Sequence, residues 1–289
     1  MQADLSPGQG TEVEEKGSPL QQVWEDCDAG VWRDVIYVEQ KAAPCMFQLF
    51  KDEIALFKEV HAELKKSHES VAIIESGMGT AELFAKVLDD YEYLVGVEIS
   101  NKMIEYAYQY HENLAAAKDG KLKLVQGDAA KLSQEILEKC YPREHAFWQK
   151  DTFRLSCMCM NTFGILPPEI QGASLKEMML VTGPGGKMIV GCWWRGAMES
   201  MGWPQLYEPN PQLTEGQAKV EDFDFAAGNF VCSAEGSEYR SHWWTAEELE
   251  SLIKTNAPCD PAAVTVSCKV IGCGIFAIAD IAADAVFNA

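Results

Sequence analysis

The sequence lacks the features that mark membrane proteins and exported proteins. It contains no run of 18 apolar residues, which a membrane-spanning helix would need. Its first twenty residues are polar, with several Gly, Pro and Glu, and they have no apolar core of the signal-peptide type. We therefore expect a soluble, cytoplasmic protein in which residues 1–20 form a disordered tail, although an organellar location stays open.

Positive charge is also scarce. Lys and Arg together number 24 against 44 Asp and Glu, which gives a formal net charge of −20. Such a negative field repels the phosphate backbone of nucleic acids and anionic membrane surfaces. The composition therefore favours a small-molecule substrate over a nucleic acid or a membrane, and it is compatible with a homo-oligomer.

The ten cysteines are not arranged like metal ligands. The two closely spaced pairs, Cys157 with Cys159 and Cys268 with Cys273, lack the spacing typical of zinc sites. No histidine stands near either pair in the sequence. We therefore expect free thiols and no metal site.

Short apolar runs alternate with segments of helical periodicity through most of the chain. After a helix over 44–66, strands are predicted at 71–74, 93–99, 121–128, 152–160 and 187–194. Helices at 81–90, 101–117, 133–140 and 168–182 lie between them, and a helix at 245–256 and a hairpin at 263–282 follow. This rhythm predicts an α/β fold with a Rossmann-like, mostly parallel sheet, helices on both faces and an antiparallel C-terminal strand.

One segment departs from this rhythm, at about 195–243. It begins with a loop rich in Pro and Gly and continues with strand-like stretches. An insertion after the carboxyl end of a strand is well placed to cap a ligand crevice. We therefore predict one domain over 21–289, with this insertion as a substrate cap.

A Gly-rich turn follows the first predicted strand, in "VAIIESGMGTAELF". Gly77 and Gly79 leave backbone N–H groups and bare Cα atoms where a ligand can approach closely. Ala81 stands where a third Gly is often found. Because Gly-x-Gly alone occurs by chance in many loops, its meaning depends on the residues around it.

Acidic residues end three successive strands, at Glu75, Glu98 and Asp128. Glu98 is placed to accept hydrogen bonds from ribose hydroxyls. Three carboxylates at one sheet edge would repel a pyrophosphate. A cofactor with a ribose, a purine amine, an amino-acid end and a positive charge suits them better. The pattern therefore indicates S-adenosylmethionine, with S-adenosylhomocysteine as its product.

Four segments in order, "IIESGMGTAE", "LVGVEIS", "LVQGDA" and "GPGGKMIV", resemble class I S-adenosylmethionine-dependent methyltransferases over roughly residues 30–289. The segments "EISNKMIEYAY" and "SCMCMNTFGILPPE" are similar to the glycine and sarcosine N-methyltransferase branch. This resemblance implies N-methylation of a small amino acid or amine. It also implies cofactor contacts from Trp32, Glu75, Gly77, Gly79, Glu98, Met103, Asp128 and Ala129.

The same resemblance suggests substrate residues. Asn161 would orient the amine, and Arg195 would clamp a substrate carboxylate. In the family an Arg-Asn-Tyr sequence follows the fifth strand, whereas this chain has "WWRG", offset by about two residues, so the substrate is less well defined than the cofactor. Weaker substrate candidates are Tyr37, Trp194, Arg240 and His242.

Two alternatives stay open at this point. The protein could methylate sulfur or oxygen on a small carboxylate metabolite, for example a thioether acid that becomes a sulfonium zwitterion. Because a thioether has no proton to lose, a flat pH–rate profile near neutrality would favour that reading. The protein could also bind the cofactor without catalysis.

Overall fold

Three helices precede the central sheet. The computed structural model describes residues 19–117, 120–214, 216–234 and 237–287. The predicted tail lies outside the described residues, except that 19 and 20 already belong to the first helix. The helices are α1 (Pro19–Asp26), α2 (Ala29–Tyr37) and α3 (Pro44–Leu64). Pro44 occupies the first turn of α3, where its missing N–H costs nothing.

A seven-stranded sheet forms the centre of the fold. Its strands are β1 (Ser70–Ser76), β2 (Tyr93–Glu98), β3 (Leu122–Gln126), β4 (Thr152–Met158), β5 (Lys187–Trp193), β9 (Val264–Ile271) and β10 (Gly274–Ile281). They are ordered β3–β2–β1–β4–β5–β10–β9. The first five strands in this order are parallel, and β10 runs antiparallel to both β5 and β9. The predicted Rossmann-like fold class is confirmed.

Helices cover both faces of this sheet. In β1, Val71 and Ile73 face one apolar cluster with α3, while Ala72 and Ile74 face a second cluster. The remaining helices are α4 (Glu82–Val87), α5 (Asn101–Tyr110), α6 (Glu112–Ala117), α7 (Leu132–Lys139), α8 (Thr162–Ile165), α9 (Pro168–Thr182) and α10 (Ala246–Thr255). None of the helices within the described ranges has the length and apolar character that crossing a membrane requires.

The predicted helix over 101–117 is two helices. The chain leaves the helical conformation at His111, with φ −104° and ψ 96°. The ring nitrogen Nε2 of His111 lies 3.0 Å from the buried carboxylate of Glu82. His111 and Glu82 are 29 residues apart in the chain, so periodicity within the segment 101–117 cannot show this contact.

The insertion forms a second, small sheet, and its aromatic rings join the apolar cluster on the α3 side of the central sheet. It holds a ten-residue π-helical segment, Met198–Tyr207, and a three-stranded antiparallel sheet of β6 (Phe223–Asp224), β7 (Asn229–Ala234) and β8 (Ser237–His242). The rings of Tyr207 and Phe223 pack against Phe230 with centroid distances of 4.2 and 4.5 Å. All ten cysteines of the chain are free thiols, as predicted.

Candidate functional site

A cleft opens at the carboxyl ends of β1, β2 and β3, beside the point where the chain order of the strands reverses between β1 and β4. It encloses about 840 Å³, including solvent at its mouth. A crevice at this position is where open α/β sheets bind ligands. Seven of the eight predicted cofactor residues line it: Trp32, Gly77, Gly79, Glu98, Met103, Asp128 and Ala129.

The Gly-rich turn depends on left-handed backbone conformations. Gly77 has φ +67°, and a Cβ built on it would lie 2.5 Å from Cγ2 of Thr162. Gly79 has φ +54°, but a Cβ there would meet no heavy atom within 4 Å, so this side of the turn faces open space. Ala81 is fully buried and also left-handed, with φ 58°. A small residue therefore suffices at the third position, although it adopts the backbone geometry that glycine favours.

Glu98 connects the Gly-rich turn to the end of β2. Its Oε2 accepts a hydrogen bond of 2.8 Å from the N–H of Gly79, and its Oε1 accepts one of 3.1 Å from the N–H of Ser100. Burial raises the pKa of this carboxyl, and the donated hydrogen bonds oppose that rise. The Ser100 hydroxyl in turn caps α5 by accepting from the N–H of Met103, which directs α5 and Met103 to the cleft.

On the third strand end, Asp128 begins a short 3-10 turn. Its Oδ1 accepts a 2.9 Å hydrogen bond from the N–H of Ala130. The turn spans Ala129–Lys131, so Ala129 lies at the cleft wall beside Asp128. The predicted pair is thus brought to the same edge as Glu98.

The N-terminal helices, and not the insertion, cover the cleft. Trp24 of α1 and Trp32 of α2 both line it, and their rings pack edge to face at 5.2 Å. Glu25 holds α1 in place by accepting a 2.8 Å hydrogen bond from the N–H of Asn101. Within the described part of the insertion, no residue reaches the cleft. The insertion instead buries its aromatic rings against one another and against α3, and its role as a substrate cap stays a prediction.

Trp24 is a cleft residue that the sequence reasoning missed. It lies only a few residues after the predicted tail, in a short helix without a distinctive motif. The sequence analysis also missed apolar residues that line the cleft, because their pattern is the same as that of ordinary core residues. Among them are Ile36, Met160, Leu166 and Ile170. Tyr37, by contrast, was a substrate candidate and does line the cleft.

Glu75 lies behind the cleft wall and not on it. It is 4% exposed, and its Oε2 has no hydrogen-bond partner among the described residues. Burial raises the pKa of its carboxyl, and the nearby carboxyls of Glu53 and Glu98 raise it further. A carboxylate oxygen of Glu75 and the sulfurs of Cys157 and Cys159 lie within 4.8 Å of one another. The sequence did not suggest this proximity.

The buried side chain of Asn161 forms hydrogen bonds with two other parts of the fold. Its side chain is 2% exposed, and its Oδ1 accepts a 3.1 Å hydrogen bond from the N–H of Trp193 at the end of β5. Its Nδ2 donates to Oγ of Ser241 at 3.0 Å, which ties the insertion to the sheet. Each end of the amide thus has one partner within the fold, and the predicted role of Asn161 in orienting an amine stays a prediction.

Arg195 is likewise engaged, in an ion pair with Glu248. Its Nη2 lies 2.5 Å and 2.6 Å from the two carboxylate oxygens of Glu248, and its Nε donates to the carbonyl of Trp243 at 3.1 Å. The predicted carboxylate clamp therefore holds a carboxylate of the protein itself.

The remaining substrate candidates lie near this ion pair, outside the cleft. His242 is 2.7 Å from Oδ1 of Asn229 through Nδ1 and 3.3 Å from Nη2 of Arg195 through Nε2. Since Arg195 can only donate, Nε2 accepts and Nδ1 carries the proton. Burial lowers the pKa of His242. Arg240 and His242 line a separate groove beside β7 and β8, and Trp194 packs between the two apolar clusters.

Comparison with known proteins identifies the fold. No protein-family model and no curated protein matches the chain. Among solved structures, magnesium protoporphyrin IX methyltransferase (ChlM) from Synechocystis PCC 6803 with bound SAH is 11% identical, with a TM-score of 0.54 over 91% of this chain and 98% of that one. A complex of DhpI with SAM and HEP is 12% identical, with a TM-score of 0.50 over 90% of this chain and 96% of that one. The chain therefore has the Rossmann-like methyltransferase fold. These likenesses do not single out the glycine and sarcosine branch.

Proposed function

We propose that this protein is an S-adenosylmethionine-dependent methyltransferase that N-methylates a small amine or amino acid. The observation that carries the proposal is the cleft itself. A left-handed Gly-rich turn, Glu98 and Asp128 meet there at the carboxyl ends of three neighbouring strands. The two solved structures with the same fold support the choice of cofactor, since one is a methyltransferase with bound SAH and the other a complex with SAM.

The lining of the cleft fits this cofactor. Apolar and aromatic side chains, including Trp24, Trp32 and Met103, offer surfaces for a purine ring. The charged groups on the described wall are the carboxyls of Glu98 and Asp128, which suit a cation and would repel a pyrophosphate. Gly79 leaves its side of the turn open for close approach of a ligand.

Each residue then has a chemical task. Glu98 would accept hydrogen bonds from ribose hydroxyls, and Asp128 would accept one from the purine amine. When bound, the cofactor supplies an electrophilic methyl group on a positively charged sulfur. Helices α1 and α2 would exclude water from the cleft, so that the acceptor and the methyl group are held in line.

Two measurements test this proposal. Isothermal titration calorimetry of the purified protein should show binding of S-adenosylmethionine and S-adenosylhomocysteine, with much weaker binding of NAD. Incubation with methyl-labelled S-adenosylmethionine and a metabolite extract should then yield a labelled amine, identified by mass spectrometry. Absence of cofactor binding would refute the fold-based assignment. A labelled thioether or alcohol product would replace N-methylation with the S- or O-methylation alternative.

A further inference from the structure

One helix of the cleft wall is attached to the protein without deeply buried side chains. Helix α1 contributes Trp24 to the cleft, yet none of the side chains at 21–26 is buried. Helix α2, which contributes Trp32, buries three apolar residues in the core. Because elements with few buried apolar contacts open most easily, α1 is the part of this wall that can move while α2 stays fixed.

The junction between the two helices permits such a movement. Cys27 and Asp28 join α1 to α2, and Asp28 has an extended backbone, with φ −78° and ψ 105°. The Asp28 side chain caps α2 by accepting hydrogen bonds of 2.9 and 3.0 Å from the N–H groups of Gly30 and Val31. Helix α2 therefore has its own N-terminal cap, and α1 can change its direction at Asp28 without unwinding α2.

Glu25 connects α1 to the start of α5. Its Oε1 accepts a 2.8 Å hydrogen bond from the N–H of Asn101. Its Oε2 accepts from the N–H of Lys102 at 3.4 Å and from the hydroxyl of Ser100 at 3.3 Å. The amide of Gln126, at the end of β3, donates to Oε1 at 3.3 Å.

This contact satisfies the N-terminus of α5 from outside that helix. Asn101 and Lys102 are the first two residues of α5, where N–H groups have no partner within the helix. The first turn of α5 contains no acidic residue, so Glu25 provides the negative charge that favours a helix N-terminus. The Glu25 carboxylate is therefore a specific attachment for α1, and its neighbour Trp24 lines the cleft.

We propose that α1 is a lid over the bound cofactor and that Glu25 is the positioning residue that latches this lid to α5. The proposal rests on the proposed function and adds how the cofactor is retained. With the latch closed, Trp24 is held against the cofactor. Opening breaks the hydrogen bonds from α5 to Glu25, and α1 turns at Asp28, so that the cofactor can leave. The strength of the latch therefore sets the rate of cofactor release.

The first test compares Glu25→Gln with the matched control Asp26→Asn in the full chain. Each change removes one negative charge from α1, but the Asp26 carboxylate accepts its hydrogen bond from Gln22 of the same helix, at 2.9 Å. Surface plasmon resonance of S-adenosylhomocysteine on the immobilised protein gives the release rate. We expect Glu25→Gln to raise this rate about tenfold, as expected for a weakened charge-assisted contact at a half-buried site, and Asp26→Asn to leave it unchanged.

The second test asks whether Glu25 acts through Trp24. In a Trp24→Ala background, Glu25→Gln should cause little further increase in the release rate, because the latch then holds no ring over the cofactor. If Glu25 acted only by capping α5, the tenfold increase would persist in that background. The double-mutant cycle thus separates a latch from a purely structural contact.

Hydrogen exchange followed by mass spectrometry reports on the lid directly. In the wild type, S-adenosylhomocysteine should slow amide exchange in α1. Glu25→Gln should speed exchange in α1, both with and without S-adenosylhomocysteine, and leave exchange in β1 unchanged.

Three results would overturn the proposal: an unchanged release rate in Glu25→Gln, a full tenfold increase in the Trp24→Ala background, or exchange in α1 that S-adenosylhomocysteine does not slow. Failure of the proposed function looks different. The wild-type protein would then bind neither S-adenosylmethionine nor S-adenosylhomocysteine, and the lid would lose its ligand as well. Cofactor binding with equal release rates in wild type and Glu25→Gln would refute the latch alone.

Discussion

Replacing Glu53 by Gln should change how the stability of the protein depends on pH, even with no ligand present. Glu53 is buried, and its pKa is raised from an ordinary 4.5 to about 8. The folded chain therefore holds the proton of Glu53 far more tightly than the unfolded chain does. Its contribution to stability is complete below about pH 4.5 and is lost as the pH rises through about 8.

The size of this change in unfolding free energy follows from the two pKa values of Glu53, 4.5 and about 8. One pKa unit corresponds to about 1.4 kcal/mol. The difference between 4.5 and about 8 for Glu53 therefore corresponds to about 5 kcal/mol of unfolding free energy between acidic and alkaline pH. Since small proteins are stable by only about 5–15 kcal/mol in total, a loss of this order is readily measured. In Glu53→Gln this component is absent, because the amide does not titrate.

The assay is urea unfolding, followed by tryptophan fluorescence at about pH 5, 7 and 9. The wild-type free energy of unfolding should fall more steeply with pH than that of Glu53→Gln. Asp52→Asn should keep most of the wild-type slope, because the Asp52 charge is the smallest of the causes that set the pKa of Glu53. Curves for Glu53→Gln and wild type that stay parallel from about pH 5 to 9 would refute the reasoning, because Glu53 would then titrate alike in the folded and unfolded states.

Three further predictions concern the cleft and the insertion. Glu98→Ala should weaken S-adenosylmethionine binding about ten- to hundredfold in calorimetry, since it removes the proposed ribose acceptor and the anchor of the Gly79 N–H; an unchanged affinity would contradict this. Gly77→Ala should destabilise the fold by about 2 kcal/mol in urea unfolding and impair cofactor binding, because its Cβ would lie 2.5 Å from Cγ2 of Thr162. Adding Thr162→Ala should recover part of that loss, and Gly79→Ala, which has open space, should cost less. Arg195→Ala should lower stability by about 1 kcal/mol through the partly exposed pair with Glu248 and leave methyl transfer intact. Loss of methyl transfer with normal stability would return Arg195 to the substrate site.

The sequence alone was sufficient for the elements of the sheet and for the cofactor edge. Strands and helices follow from short-range periodicity, and the carboxyl ends of parallel strands necessarily meet at one edge. Gly77, Glu98 and Asp128 each end or follow such a strand, so their convergence needed only the order of the strands. For the same reason, seven of the eight predicted cofactor residues line the cleft.

Residues whose role depends on a distant partner were decided by tertiary structure. The Asn161 amide is engaged by Trp193 and Ser241, which lie 32 and 80 residues away along the chain. Arg195 meets Glu248 across 53 residues. A local pattern shows that a polar side chain follows a strand, but not whether another part of the chain already satisfies its hydrogen bonds.

Glu53 shows most clearly that a local sequence pattern does not reveal burial or distant partners. In the sequence it is one acid within an amphipathic helix, and nothing nearby distinguishes it from the exposed acids of that helix. Only the packing of α3 on the sheet buries it and gives it the N–H of Met160, 107 residues away. The sequence determined the fold and the cofactor edge because both are local patterns repeated along the chain. Tertiary structure decided which charges are buried and unpaired, because burial depends on what packs above each residue.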